Sequence, residues 1–500
     1  MELKLSREKL RFERLAATGE DQVTIEGEAT LPGSMRDAVT VLSVQAQTHL
    51  TGVQAGAGEG AVRGRVCFQV LYTQGDLTRV RALETACDFE HRLEMPGVTP
   101  EMRLTACAAV QETQGTASSG RMMLRALVGI QTEAFEMMQK ELVTGVQVEG
   151  EETGLQTREQ TVTYCCHDAL GEDHTLVREE FELPARLEVG DVLSATGVAS
   201  VGEMTGGAGR VGVSGVIEVR VLHRPLEAGG ALVMTSHELP YELTIDATLP
   251  EGAQVHAEAE VIDVMADSAA TDKRRILRVE AEVNVRLSQC MQHDAVLMED
   301  LYSLSGPELV PVREQFDVHT FEESADVRES TRIQLTLPKD APPIDTALAA
   351  FVQPTVTAVK PAGRRLDAEG VMAMTLLYRP VDSDIPYAVH TREPFAMTFP
   401  VEAGEGVKAQ AYAIEASPGP TTSDRAEVRC VIGLHAVQHG IRRVTGVSDV
   451  EVHPAPEQTH GFVLVWPERG ETRWQTARRL RVAEDSLLPA GKSALLAFRK

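Results

Sequence analysis

The chain has 500 residues, a formal net charge of -26, 43% hydrophobic and only 4% aromatic content. An acidic body of this kind repels nucleic acid and anionic lipid, so neither is expected as a partner of the whole molecule. No apolar run approaches the roughly 20 residues of a spanning helix, so no membrane insertion is expected, and the length allows three or four domains.

The first fifteen residues, Met1 to Leu15, are charged and lack an apolar signal core. They read as a short amphipathic helix or strand, and the protein is expected to be cytoplasmic. Beyond them one strand pattern is written three times: Gly64 to Tyr72, Gly215 to His223 and Gly370 to Tyr378. Each copy opens on Gly and then sets apolar groups on alternate residues, Val66, Phe68, Val70 in the first, Ile217, Val219, Val221 in the second and Met372, Met374, Leu376 in the third. A period of two is the mark of a strand with one buried face. Upstream of each lies an apolar-Pro step, Leu31-Pro32, Leu183-Pro184 and Leu337-Pro338; downstream lies an aromatic, Phe89, Tyr241 and Phe395. The repeat then closes on a clear strand, Leu277 to Leu287 in the second copy and Val428 to Leu434 in the third. A spacing of about 150 residues is domain-sized.

These landmarks predict a mostly β chain of three tandem β-sandwich-like repeat domains over 1–148, 158–298 and 307–445, followed by a small module over 460–500. The sequence allows the three domains either to pack together or to hang on linkers such as Glu149 to Gln160 and Glu299 to Gly306. Clear amphipathic helices are scarce before the last segment.

Seven cysteines without a C-x-x-C pair read as reduced thiols. Cys165-Cys166-His167, with Asp168 and His174 near, is the one cluster that invites a metal, but adjacent strand residues point to opposite faces and chelate poorly. His435 and His439 sit four apart in a strand, where that spacing merely repeats one face. No metal and no cofactor is expected. Catalysis is not expected either: there is no G-x-x-x-x-G-K-[ST] loop and no H-E-x-x-H, and the glycine-rich Gly202 to Gly215 precedes a strand and reads as a hairpin.

The last segment carries the second signal. Phe462 to Trp466 alternates as a strand, Gly470-Glu471-Thr472 turns into a helix with Thr472 as N-cap, and Trp474, Ala477 and Leu480 share one helical face. Ala483 to Leu488 fits a short second helix, and Ala494 to Phe498 a last strand. From Trp466 on, Arg469, Arg473, Arg478, Arg479, Arg481, Lys492, Arg499 and Lys500 make this end basic, as a docking surface for an acidic protein, or else with Arg478, Arg479 and Arg481 simply a solvated helix face.

This small α+β (βααβ) plan resembles a LysM domain, whose Gly-Asp-Thr-Leu-Trp-x-Ile-Ala motif corresponds to Gly470-Glu471-Thr472-Arg473-Trp474-Gln475-Thr476-Ala477. Arg473 replaces the family's Leu and Thr476 its Ile, and the Leu487 to Gly491 loop is short, so the resemblance favours a LysM scaffold reused for protein contact over one that binds N-acetylglucosamine polymers. By the resemblance, Gly470, Glu471, Thr472, Arg473, Trp474 and Arg478 are the candidate partner- or glycan-binding residues.

Tandem β repeats ending in such a module, with a start like Met1 to Leu15 and a stretch like Thr24 to Leu42, resemble spore-coat morphogenetic proteins of the SipL type, which carry SPOCS domains. The resemblance implies a non-enzymatic scaffold made in the mother cell and held at the forespore surface and spore coat. It implies docking through the LysM-like end to the coat morphogenetic ATPase (stage IV sporulation protein A-like), beside other coat proteins. The alternative is a protein that binds peptidoglycan or N-acetylglucosamine polymers in the cortex or wall.

Overall fold

A computed structural model describes residues 2–499 except 32–38, 76–78, 150–153, 208, 227–231, 249–253, 271–274, 363–364, 401–405, 456–460 and 490–493. Pro32 and Asp37, and the Gly491-Lys492 turn, lie outside the described residues.

Eighteen strands fall into three runs of six. The first run is β1 (Glu2–Thr30), β2 (Val39–Ala55), β3 (Glu59–Gln74), β4 (Arg81–Glu94), β5 (Arg103–Ser118) and β6 (Arg121–Glu149). The second is β7 (Leu155–Phe181), β8 (Val189–Gly207), β9 (Arg210–Pro225), β10 (Val233–Asp246), β11 (Gln254–Ala270) and β12 (Arg275–Ser303). The third is β13 (Glu308–Thr336), β14 (Ile344–Pro361), β15 (Arg365–Pro380), β16 (Tyr387–Pro400), β17 (Gly406–Thr421) and β18 (Arg425–His453). Each run makes the same two antiparallel sheets, one ordered first-sixth-fifth and one second-third-fourth, as in β1-β6-β5 and β2-β3-β4. The sheets face one another across an apolar core, with Val66, Phe68, Val70, Leu124 and Val128 in the first repeat. The glycine-rich stretch is indeed a hairpin, joining β8 to β9.

The Gly-led strands are the central strands β3, β9 and β15, and the alternation read from sequence is the alternation of burial. The recurring glycine and the recurring aromatic prove to be one device. Gly64 pairs with Phe89, Gly215 with Tyr241 and Gly370 with Phe395 on the neighbouring strand. The ring lies over the bare backbone: a Cβ at Gly215 would stand 2.1 Å from the Ser200 carbonyl and 2.5 Å from the Tyr241 hydroxyl. An aromatic covering a strand glycine replaces the packing that the glycine lacks.

The first and sixth strands of each repeat are too long for one sandwich. The 29 residues of β1 extend about 95 Å at roughly 3.3 Å per residue. A bulge between Leu15 and Ala17 divides β1: beyond it, Ala17 to Thr30 pairs within the sandwich, while the first half pairs with Phe135 to Glu149 as a two-stranded arm. The corresponding arms of the other repeats pack against it. Phe12, Tyr164 and Phe316 meet there, Phe12 stacking on Phe316 at 5.0 Å and meeting Tyr164 edge-on at 6.4 Å. Leu10, Leu142, Val162, Leu297, Val318 and Val444 complete this shared core. A second one joins Leu71, Leu222 and Leu377 from the backs of the three central strands, with Leu42, Leu193 and Leu348.

Polar contacts run between every pair of repeats. Gln69 Nε2 donates to the Ala195 carbonyl at 2.7 Å, Arg328 pairs with Glu218 at 2.6 Å, and Gln353 Nε2 donates to the Val110 carbonyl at 3.1 Å. The three repeats therefore form one body around a shared centre. Among the described residues the two candidate linkers are largely strand: β6 runs through Glu149 and β7 begins at Leu155, while β12 runs through Ser303 and β13 begins at Glu308.

Candidate docking site

The C-terminal module contains β19 (Gly461–Val465), α1 (Arg473–Leu480), a 3-10 turn at Glu484–Ser486, β20 (Leu488–Pro489) and β21 (Leu495–Arg499), with its sheet ordered β19-β21-β20. The second helix expected over Ala483 to Leu488 is only that 3-10 turn followed by a bridge to β21. The Pro489 that follows cannot continue a helix.

Thr472 caps α1 as the sequence indicates. Its hydroxyl accepts from Gln475 N at 3.2 Å while Gln475 Oε1 accepts from Thr472 N at 2.8 Å, a reciprocal capping box. Gly470 supplies the turn before it with φ +85, a left-handed conformation that favours glycine. Glu471 accepts from Arg479 Nε and Nη2 at 2.9 and 3.0 Å and from Glu468 N at 2.8 Å; the Arg479 contact, first, holds its carboxyl down to about 2. Arg473 donates to the carbonyls of Glu484 and Leu487 at 3.2 and 2.6 Å and so ties the helix start to the 3-10 turn.

Trp474 is 7% exposed and packs with Ala477, Leu480, Val482 and Leu487. It also latches the module to the body. Its Nε1 donates to Asp300 Oδ2 at 2.8 Å, and its ring meets Tyr302 edge-on at 5.0 Å. Asp300 is also paired with Arg478 at 3.3 Å and with Arg313. The Tyr302 hydroxyl donates to the Val482 carbonyl at 2.8 Å, and burial pushes it up to about 12. Arg481 donates to the carbonyls of Ser303 and Gly306, both at 2.9 Å.

All six candidate residues thus serve the module's own turn, cap and core or its seat on β12. Arg478, Arg479 and Arg481 have partners in this chain, so these three arginines are not a free positive surface. What the module exposes lies on the other side of its sheet. Phe462, Leu464, Trp466, Leu488 and Phe498 are 76, 49, 62, 57 and 48% exposed, and Phe462 and Phe498 touch at a ring separation of 4.9 Å. The signal was in the sequence: in Phe462-Val463-Leu464-Val465-Trp466 both faces of the strand are apolar, and only Val463 and Val465 turn toward α1. A cluster of large apolar side chains in water marks an interaction site.

The thrice-used strand plan with a latched terminal module defines a multi-repeat β protein. Residues 37–116 match the family model described as SipL, SPOCS domain, a segment that spans β2, β3, β4 and most of β5. The first repeat therefore carries a segment similar to a SPOCS domain, which points to sporulation and the spore coat. No curated protein matches the chain, and no solved structure does. No helix among the described residues is long and apolar enough to cross a membrane.

Proposed function

We propose that the chain is a non-enzymatic scaffold of spore-coat assembly that docks to the coat morphogenetic ATPase (stage IV sporulation protein A-like) at the forespore surface through its terminal module. The SPOCS match carries the link to the coat. The docking surface in this reading is the exposed face of Phe462, Leu464, Trp466 and Phe498, while the six motif residues hold that face in place. The latch through Asp300 and Arg481 supports a fixed orientation of that face on the repeat body. A rigid adaptor loses less entropy on binding than a tethered one.

The test is retention of the full chain on the ATPase and, in parallel, on purified peptidoglycan. An exposed aromatic anchor is worth about 2 kcal/mol, roughly 30-fold in Kd. Phe462→Ser and Trp466→Ser, folded by circular dichroism, should each lose ATPase retention by about that factor. Retention on peptidoglycan with none on the ATPase would replace this reading with that of a wall-binding protein.

A further inference from the structure

At the junction of the three repeats lies a line of buried ionisable groups that the scaffold reading does not use. Glu13 on β1, His167 on β7 and His319 on β13 are 2, 7 and 2% exposed, and one potential ligand atom from each lies within 4.8 Å of the others. The three residues come from the same strand of the three different repeats. Around them the partners are fixed. Arg103 donates to both Glu13 oxygens at 3.1 and 3.0 Å, and His167 Nδ1 contacts Glu13 Oε2 at 2.9 Å. On the other side His319 Nε2 contacts His439 Nδ1 at 3.1 Å, His439 Nε2 lies 3.3 Å from Glu133 Oε2, and Lys408 pairs with Glu133 at 2.7 Å. Phe135 closes the cluster, with its ring centroid 5.7 Å from those of His319 and His439.

Among the described residues, His319 Nδ1 is buried and has no hydrogen-bond partner. Leaving a buried polar atom unmatched costs about 1–3 kcal/mol, so such an atom calls for an explanation. Neutral imidazole nitrogen is the form that binds metal. His319 spends its Nε2 on His439 Nδ1, so the ring atom left for a metal is Nδ1. Such a contact on the second ring nitrogen is what orients a metal-ligating histidine.

We propose that Glu13, His167 and His319, one from each repeat, form a divalent transition-metal site of the zinc class at the centre of the molecule. Two imidazole nitrogens and one carboxylate oxygen are a zinc donor set, with a fourth position for water or for a small shift of His439. Ligand bonds of about 2.0–2.2 Å require the three atoms to close by about an ångström, within reach of rotamer adjustment. The charge balance selects the ion. Arg103 and Lys408 already offset Glu13 and Glu133, so a hard cation that needs a negative oxygen cage gains little, whereas a borderline ion gains from imidazole. A metal here would pin the three arms together.

The experiment uses the full chain, refolded from urea after chelation so that the buried site is open to loading. It is titrated with Zn2+ by calorimetry and with Co2+ by visible absorption. The expected result is one ion per chain and a Co2+ spectrum of nitrogen and oxygen ligation. His167→Gln and His319→Gln should weaken binding by about tenfold or more, while His453→Gln, at an exposed histidine paired with Glu451, should leave it unchanged. No saturable binding, or equal binding in both variants and the parent, would overturn the site. A variant that fails to fold leaves the parent's spectrum to decide: a thiolate-to-metal band would assign the ion to cysteine and refute the proposal.

Discussion

Replacing the glycine of each Gly-aromatic pair by alanine tests whether that pair sets the sheet geometry. At Gly64 a Cβ would stand 2.7 Å from the His49 carbonyl and 2.7 Å from the Phe89 ring. At Gly370 the distances are 2.3 Å to the Thr355 carbonyl and 2.4 Å to Phe395, and at Gly215 they are 2.1 Å and 2.5 Å. In all three the near atom is backbone, which cannot swing away, so the strand pair itself must move. Overpacking of this kind costs about 1–3 kcal/mol. The stiffer unfolded chain returns about 0.4–1 kcal/mol, which leaves a net loss of about 0–2.6 kcal/mol. The order of approach predicts Gly215→Ala worst and Gly64→Ala mildest. Gly52 in the neighbouring β2 is the control, since a Cβ there meets nothing within 4 Å and Gly52→Ala should be neutral or slightly stabilising. Urea unfolding of the full chain followed by circular dichroism measures these differences. Thermal scans add the size of the unit that unfolds. At about 2.1 cal/mol/K per residue, a 2 kcal/mol loss shifts a 150-residue unit by about 6 °C but a 500-residue unit by only about 2 °C. Shared cores predict the smaller shift in a single transition. Equal stabilities for Gly215→Ala and Gly52→Ala would refute the reasoning.

Other outcomes follow from the packing. Asp300→Ala leaves the Trp474 N–H and the Arg478 and Arg313 guanidiniums without their carboxylate; it should cost about 2–3 kcal/mol and free the module, seen as faster proteolysis after β18 and a red shift of tryptophan emission. Thr472→Ala should cost about 1 kcal/mol in the same module, by the same proteolysis assay. Phe12→Ala should cost about 3–5 kcal/mol and lower the melting of all three repeats together, not of the first alone. His49 is the pH probe: burial lowers it, but the Cys67 contact and then Glu260 of the second repeat, at 3.0 Å, raise it to about 9. A raised histidine stabilises fully below its unfolded value of about 6.5, so stability should fall between about pH 6.5 and 9. Glu260→Gln should flatten that slope in unfolding measured across the range, although Arg286, also on Glu260, would then face His49 unscreened.

Much of the fold was legible because a strand writes its buried face at every second residue. Gly64, Gly215 and Gly370 stood out with Phe89, Tyr241 and Phe395, but the register that puts ring on glycine is a cross-strand fact that neither segment encodes alone. The shared core was less visible. Val70-Leu71-Tyr72 breaks the alternation with three apolar residues in a row, and Leu71 is the one that faces the other repeats; its counterparts Leu222 and Leu377 break it in the same place. The inter-repeat histidines were seen only as pieces, because strand spacing places His167 and His439 without saying that three arms converge on them. In the terminal module the Thr472 cap and the Trp474 face were local and therefore readable. The use of Trp474, Arg478 and Arg481 as a latch depends on Asp300 and Ser303, about 175 residues earlier in the chain.

The claim that three repeats make one body can be tested by cutting the chain. A protease site placed between β6 and β7, in the full-length protein, separates the first repeat from the rest once cleaved. The shared cores at Phe12, Tyr164 and Phe316 and at Leu71, Leu222 and Leu377 predict that both pieces elute together in gel filtration and part only in denaturant. Two separate, folded peaks in buffer would contradict it and return the protein to independent domains on a string.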